Sequence, residues 1–143
     1  MKNRKRGFSL VELLIVLAVI AALIATITPV ALNAIQKAKA TQVAQNLKTL
    51  ASAFENKLYV DGSVPSSLVS LGRDIDDTKY ALYYTVSSGD YTAIVATNES
   101  VNSDSLTGLI DAKPGNFDES AYTRLGGYTG NDTFYYLFGF TVY

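Results

Sequence analysis

With 143 residues, no cysteine and no histidine, the chain has room for one domain. It lacks disulfides, zinc-thiolate centres, thiol nucleophiles and the commonest general base. Its net charge of −1 hides an asymmetry, because residues 1–7 carry +4 and the remainder −5; an acidic body without a Lys/Arg cluster argues against a phosphate-binding groove, and no specific nucleic-acid site is expected.

The chain opens with Lys2, Arg4, Lys5 and Arg6 and then turns apolar. From Phe8 to Ala25 only Ser9 and Glu12 are polar, and 24 uncharged residues separate Glu12 from Lys37. About 20 apolar residues are enough for a helix to span the hydrocarbon of a bilayer. A secretory signal has a shorter apolar core with a small-residue exit, whereas this run continues without a charged or loop-like break. A single membrane span is therefore expected over about residues 8–33, with the basic cluster cytoplasmic and the head outside. Glu12 is the anomaly, since a carboxylate at the centre of a membrane helix costs about 2.5–3.5 kcal/mol. It lies near the start of the span, so one reading is a tolerated interfacial charge. The other is a cationic partner, the usual company of an ionisable group in lipid.

The run Lys5-Arg6-Gly7-Phe8-Ser9-Leu10-Val11-Glu12-Leu13-Leu14 resembles the leader junction of type IV pilins and of type II secretion pseudopilins. The likeness is close from Lys5 to Pro29 and looser over the helix that follows. It implies that residues 1–7 are a basic leader, and that a membrane prepilin peptidase cuts between Gly7 and Phe8 and methylates the Phe8 amine. It implies further that Glu12 neutralises that amine on a neighbouring subunit as copies pack into a helical homopolymer. An inner-membrane assembly platform and an assembly ATPase are the other partners the resemblance implies. Pairing has a physical motive of its own, because a lone carboxylate and a lone ammonium are each costly in lipid and much less so together. Positions 8 and 12 lie one helical turn apart, so the same pair can also form within one chain.

Pro29 is the next feature. It lacks an N–H and clashes with the carbonyl of Ala25, and it disfavours helical geometry at Thr28, so the helix is expected to kink or loosen there. The bland reading is an ordinary membrane-helix kink. The family resemblance implies a stretch that extends during filament assembly, which makes Pro29 an assembly residue.

Beyond the span, Ala40, Val43, Leu47, Leu50, Phe54 and Leu58 recur at helical spacing and form one apolar stripe, which Lys37, Lys39, Lys48, Glu55 and Lys57 avoid. The helix is predicted to run from Phe8 to about Tyr59 or Val60, roughly 78 Å at 1.5 Å per residue. Asp61-Gly62-Ser63-Val64-Pro65 ends it with turn chemistry. Lys79–Val86 and Tyr91–Thr97 read as a hairpin closed by a four-residue loop, Ser87–Asp90. Residues 98–131 read as loops with at most one short element. Asp132–Tyr143 reads as a closing strand, apolar on both faces and needing cover on both.

No catalytic constellation and no cofactor site are evident, and the chain is not expected to be an enzyme. Asp74-Ile75-Asp76-Asp77 is the one tight acidic cluster. It lacks the glycine and distal glutamate of a calcium loop, so a solvated turn is favoured over a metal site. Asn98-Glu99-Ser100 and Asn131-Asp132-Thr133 match the glycosylation pattern, which recurs by chance. Ten tyrosines suit a half-buried sheet.

The expected architecture is α+β and pilin-like: a leader (1–7), a long helix (8–60) and a β-rich head (61–143), with the helix's outer half under a small antiparallel sheet. The expected function is polymerisation into a type IV pilus-like filament for adhesion, motility or DNA uptake. A pseudopilin is the alternative, since many pilins staple a C-terminal loop with a disulfide and this chain cannot. A monomeric membrane-anchored binding protein is a weaker third reading, because no pocket of convergent polar groups is evident. The destination is an inner-membrane protein that passes into an extracellular or periplasm-spanning filament.

Overall fold

The computed structural model describes residues 9–143. Helix α1, Leu10–Asp61, is unbroken. Gly62 stops it at φ 66°, a left-handed conformation that costs glycine little, and its N–H bonds the Leu58 carbonyl at 2.9 Å. The chain divides into two compact units, Met1–Ile35 and Gln36–Tyr143.

In the first unit every described side chain is exposed. The loosening expected at Thr28–Pro29 does not interrupt the helix. Pro29 removes one backbone donor, while the turn before it is tied back by side chains. The Thr28 hydroxyl donates to the Ile24 carbonyl at 2.7 Å, and Thr26 donates to those of Leu23 and Ala22 at 2.9 and 3.2 Å.

The second unit is built on a sheet of five strands: β1 (Tyr80–Ser87), β2 (Asp90–Thr97), β3 (Ala112–Pro114), β4 (Thr123–Gly127) and β5 (Phe134–Thr141). The spatial order is β3-β5-β2-β1-β4 and every pairing is antiparallel. A short helix α2 (Ser103–Thr107) and two 3-10 turns (Leu68–Leu71 and Glu119–Ala121) fill the connections.

The expected hairpin is present but tighter. Ser87 pairs with Asp90, leaving only Ser88 and Gly89 in the turn, at φ 53° and 92°. Positive φ at both central residues is what a two-residue turn needs to match the twist of its strands. The larger correction concerns residues 98–131, which supply two strands, a short helix and a 3-10 turn rather than loops with one short element. β3 has three residues and ends in proline, and β4 contains Gly126-Gly127, so neither shows the alternation that marks a strand. Pairing imposes their conformation. At Gly127 (φ 111°) a Cβ would lie 2.2 Å from the Tyr80 carbonyl oxygen, so β4 can approach β1 there only without a side chain.

The predicted helix stripe is buried in full. Ala40, Val43, Leu47, Leu50, Phe54 and Leu58, joined by Ala44 and Ala51, pack with Tyr80, Leu82, Ala93, Val95 and Phe134. Phe54 anchors this layer, with the rings of Tyr84, Phe140 and Tyr91 at 5.8, 6.0 and 6.5 Å. The other sheet face presents Ala81, Tyr83, Ile94 and Ala96, covered by Phe117, Tyr122, Tyr128 and Tyr135. β5 divides as its alternation predicts: Phe134, Tyr136, Phe138 and Phe140 join the helix side and Tyr135 the reverse, while Leu137 and Tyr143 stay exposed.

Phe54→Ala is expected to cost about 3–5 kcal/mol, because the cavity left among three rings cannot close fully. The exposed Val60→Ala is expected to stay within about 0.5 kcal/mol of the parent. Denaturant midpoints of the two variants, followed by near-ultraviolet circular dichroism, check this.

Candidate functional site

Among the described residues one helix, α1, is long and apolar enough to cross a membrane, and none of its most apolar 18-residue window is buried. Burial separates such a segment from the core helix of a soluble protein. Val11, Leu13, Leu14, Ile15, Val16 and Val19 all remain exposed, so the helix presents apolar side chains around its circumference rather than along one stripe.

The start of this helix is where chemistry concentrates. Ser9 caps it: its hydroxyl oxygen accepts the Glu12 N–H at 3.2 Å, and its carbonyl accepts the Leu13 N–H at 3.1 Å. Glu12 lies in the first turn, where a carboxylate faces the positive end of the helix dipole. Ser9 is thus a residue that the sequence reading passed over. The signal was available, since Ser-x-x-Glu before an apolar run is the capping-box pattern. Among the described residues no side chain pairs with the Glu12 carboxylate. Gly7 and Phe8, the expected cleavage and methylation positions, lie outside the described residues. Pro29 sits inside α1 between the exposed Thr28 and Val30.

The polar groups of the head are engaged locally. Asp76 accepts the Thr78 N–H at 3.0 Å and the Thr78 hydroxyl, and these bonds hold its carboxyl below the usual range. The Lys79 ammonium stands 3.2 Å from Glu99 and 3.9 Å from Asp76, and Lys39 reaches Glu99 at 3.4 Å. Among the described residues no three acidic side chains converge as a cation cage. The Asn98 amide nitrogen donates to the Thr78 carbonyl at 2.9 Å, whereas Asn131 is exposed. Asn46 donates to the Tyr80 hydroxyl at 2.9 Å, on the rim of a shallow groove between α1 and residues 71–76.

Residues 2–28 match the family model of the prokaryotic N-terminal methylation motif, the prepilin-type leader of type IV pilins and pseudopilins. The match takes in the basic cluster, Gly7, Phe8, Ser9 and Glu12, and ends one residue before Pro29. Comparisons with curated proteins and with solved structures find no match. The motif supports a type IV pilin or pseudopilin and implies processing by a prepilin peptidase. The long N-terminal helix with its five-stranded antiparallel sheet is a pilin-like arrangement.

Ser9→Ala is expected to fray the first turn of α1, at a cost of about 1 kcal/mol for a lost cap. Exchange of the Glu12 and Leu13 amides in detergent micelles should quicken several-fold, with amides beyond Leu17 unchanged.

Proposed function

We propose that this chain is a structural, non-enzymatic subunit that polymerises into a type IV pilus-like filament. The observation that carries the reading is one carboxylate, Glu12, inside the matched motif, at the start of a stretch of α1 that is exposed and carries no other charge before Lys37. Prepilin peptidase cuts between Gly7 and Phe8, and the new Phe8 amine is methylated. Before assembly the helix anchors the subunit in the cytoplasmic membrane, with the head outside. During assembly Glu12 meets the Phe8 amine of an adjacent copy, so that two groups costly in lipid become one neutral pair. The partners are other copies of the chain, the inner-membrane assembly platform and the assembly ATPase. Pro29 leaves the Ala25 carbonyl without its usual donor, and this is where the helix extends as subunits pack.

A second reading is favoured by the absence of cysteine: a pseudopilin of a type II secretion system, whose short filament spans the periplasm. Neighbouring genes separate the two, a retraction ATPase marking a pilus and a secretin operon marking secretion.

Processing is the first test. Intact-mass analysis of purified filaments is expected to give a chain that begins at Phe8 and carries one extra methyl group; retention of residues 1–7 would sink the proposal. Assembly is the second. Glu12→Gln is expected to insert and be cleaved normally yet leave few filaments, since removing one partner of a buried pair costs about 3–5 kcal/mol at every subunit contact. Sheared-filament yield against membrane-retained subunit measures this, with Leu13→Ala as the control for general damage. Normal yield from the glutamine variant means that the Glu12 charge does not drive assembly.

A further inference from the structure

The reverse face of the sheet is covered by residues 115–133, which carry Phe117, Tyr122 and Tyr128 onto Tyr83 and Tyr135. The two ends of the segment are fastened to each other and to the sheet. The Gly115 N–H donates to the Thr133 carbonyl at 2.9 Å, and the Thr133 N–H donates to the Thr97 carbonyl at 2.8 Å. Asp132 stands at the centre of the fastening. Its N–H donates to Asn116 Oδ1 at 2.6 Å, and its Oδ1 accepts the Tyr128 hydroxyl.

Asp132 is only 7% exposed, and its Oδ2 has no hydrogen-bond partner. Among the described residues, the groups that face it offer no compensating cation. Glu119, on the second 3-10 turn, carries a like charge and accepts the Tyr83 hydroxyl at 3.3 Å. Arg124, on β4, donates to the carbonyls of Gly127 and Tyr128. Tyr83 and Tyr128 are neutral, and burial pushes both hydroxyls up, so each remains a donor. A buried carboxylate with an orphaned oxygen and an acidic neighbour is costly when charged and tolerable when protonated. Burial chiefly, with Glu119 adding to it, raises the Asp132 carboxyl above its ordinary range despite the opposing bond from Tyr128.

We propose that Asp132 is a proton-operated latch on the cover of the sheet's reverse face, closed when its carboxyl is protonated and released when the charge forms. Because the folded-state value is raised, the stabilisation is complete below the ordinary carboxyl value. It is lost as pH rises from there through the raised value, after which the loss levels off. Asp118, in the same segment, works in the opposite direction and in a different window. Ser120 bonds its carboxylate and lowers its value, so its contribution changes only below the ordinary carboxyl value.

Hydrogen exchange of the full chain in detergent micelles tests the latch, with rates corrected for intrinsic pH dependence and the Leu47 amide as reference. Protection of the Gly115 and Thr133 amides is expected to fall by up to about tenfold per pH unit above the ordinary carboxyl value, then to level off. Asp132→Asn is expected to abolish that slope. Glu119→Gln, which keeps Asp132 but removes the like charge, is expected to move the fall to lower pH. Flat protection in the parent chain overturns the proposal, as does a slope that survives in Asp132→Asn or a midpoint that Glu119→Gln leaves in place.

Discussion

A helix satisfies its own backbone amides and carbonyls, which frees its side chains to meet any solvent. Most of this chain's organisation depends on that property. In α1 the residues up to Ile35 expose apolar groups on every side, whereas from Ala40 to Leu58 only one stripe is buried and the rest is polar. Lys37 and Lys39 are the first charges after Glu12, and they fall between the two regimes. Two polar residues of the apolar stretch also keep to the rule. Thr26 and Thr28 turn their hydroxyls onto carbonyls of their own helix, so they carry no unmet donor into a dry environment.

The head follows from the stripe. A single apolar face on a helix must be covered, and a sheet covers it with alternate residues of each strand. β1 and β2 supply Tyr80, Leu82, Ala93 and Val95 on that side, which leaves Ala81, Tyr83, Ile94 and Ala96 on the other. The second face is as apolar as the first, so it needs a cover of its own. The stretch from Gly115 to Thr133 provides it with three aromatic rings, Phe117, Tyr122 and Tyr128, and this is where polar cost accumulates. Bringing a loop rich in Asn, Asp and Gly against a sheet buries groups that prefer water, and Asp132 is the one left incompletely satisfied.

What was legible in the sequence follows the strength of each periodic signal. Six stripe positions from Ala40 to Leu58 were readable because 3.6-residue spacing persists over five turns with charges kept off it. The β1–β2 hairpin was readable from its Tyr, Val, Ile and Thr content, but its turn was overdrawn, since Ser88-Gly89 is a less familiar two-residue turn than Asn-Gly. β3 and β4 were invisible for a physical reason. Three residues ending in proline and five ending in two glycines have no preference of their own, and become strands only because β5 and β1 are there to pair with. At the candidate site Glu12 stands out by its charge, whereas Ser9 has no charge to mark it and shows its role only through the Ser-x-x-Glu spacing of a helix cap.

That cap bears on how the Glu12 charge is to be understood. A carboxylate in the first turn gains about 0.3–1 kcal/mol from the helix dipole at an exposed position. Burying the same charge at mid-membrane depth costs about 2.5–3.5 kcal/mol, and a position near the helix start lies between that figure and zero. The dipole therefore offsets a shallow carboxylate but not one drawn deeper among apolar neighbours. Capping does not require the charge either, because glutamine serves at the third position of a capping box as glutamate does, and Ser9 already accepts the Glu12 N–H. Local helix chemistry thus accounts for a polar residue at position 12 and leaves the choice of an acid there unexplained. In the proposed assembly a cation supplied by another copy meets that carboxylate, and such an attraction grows as water is excluded, under the same conditions in which the dipole alone falls short.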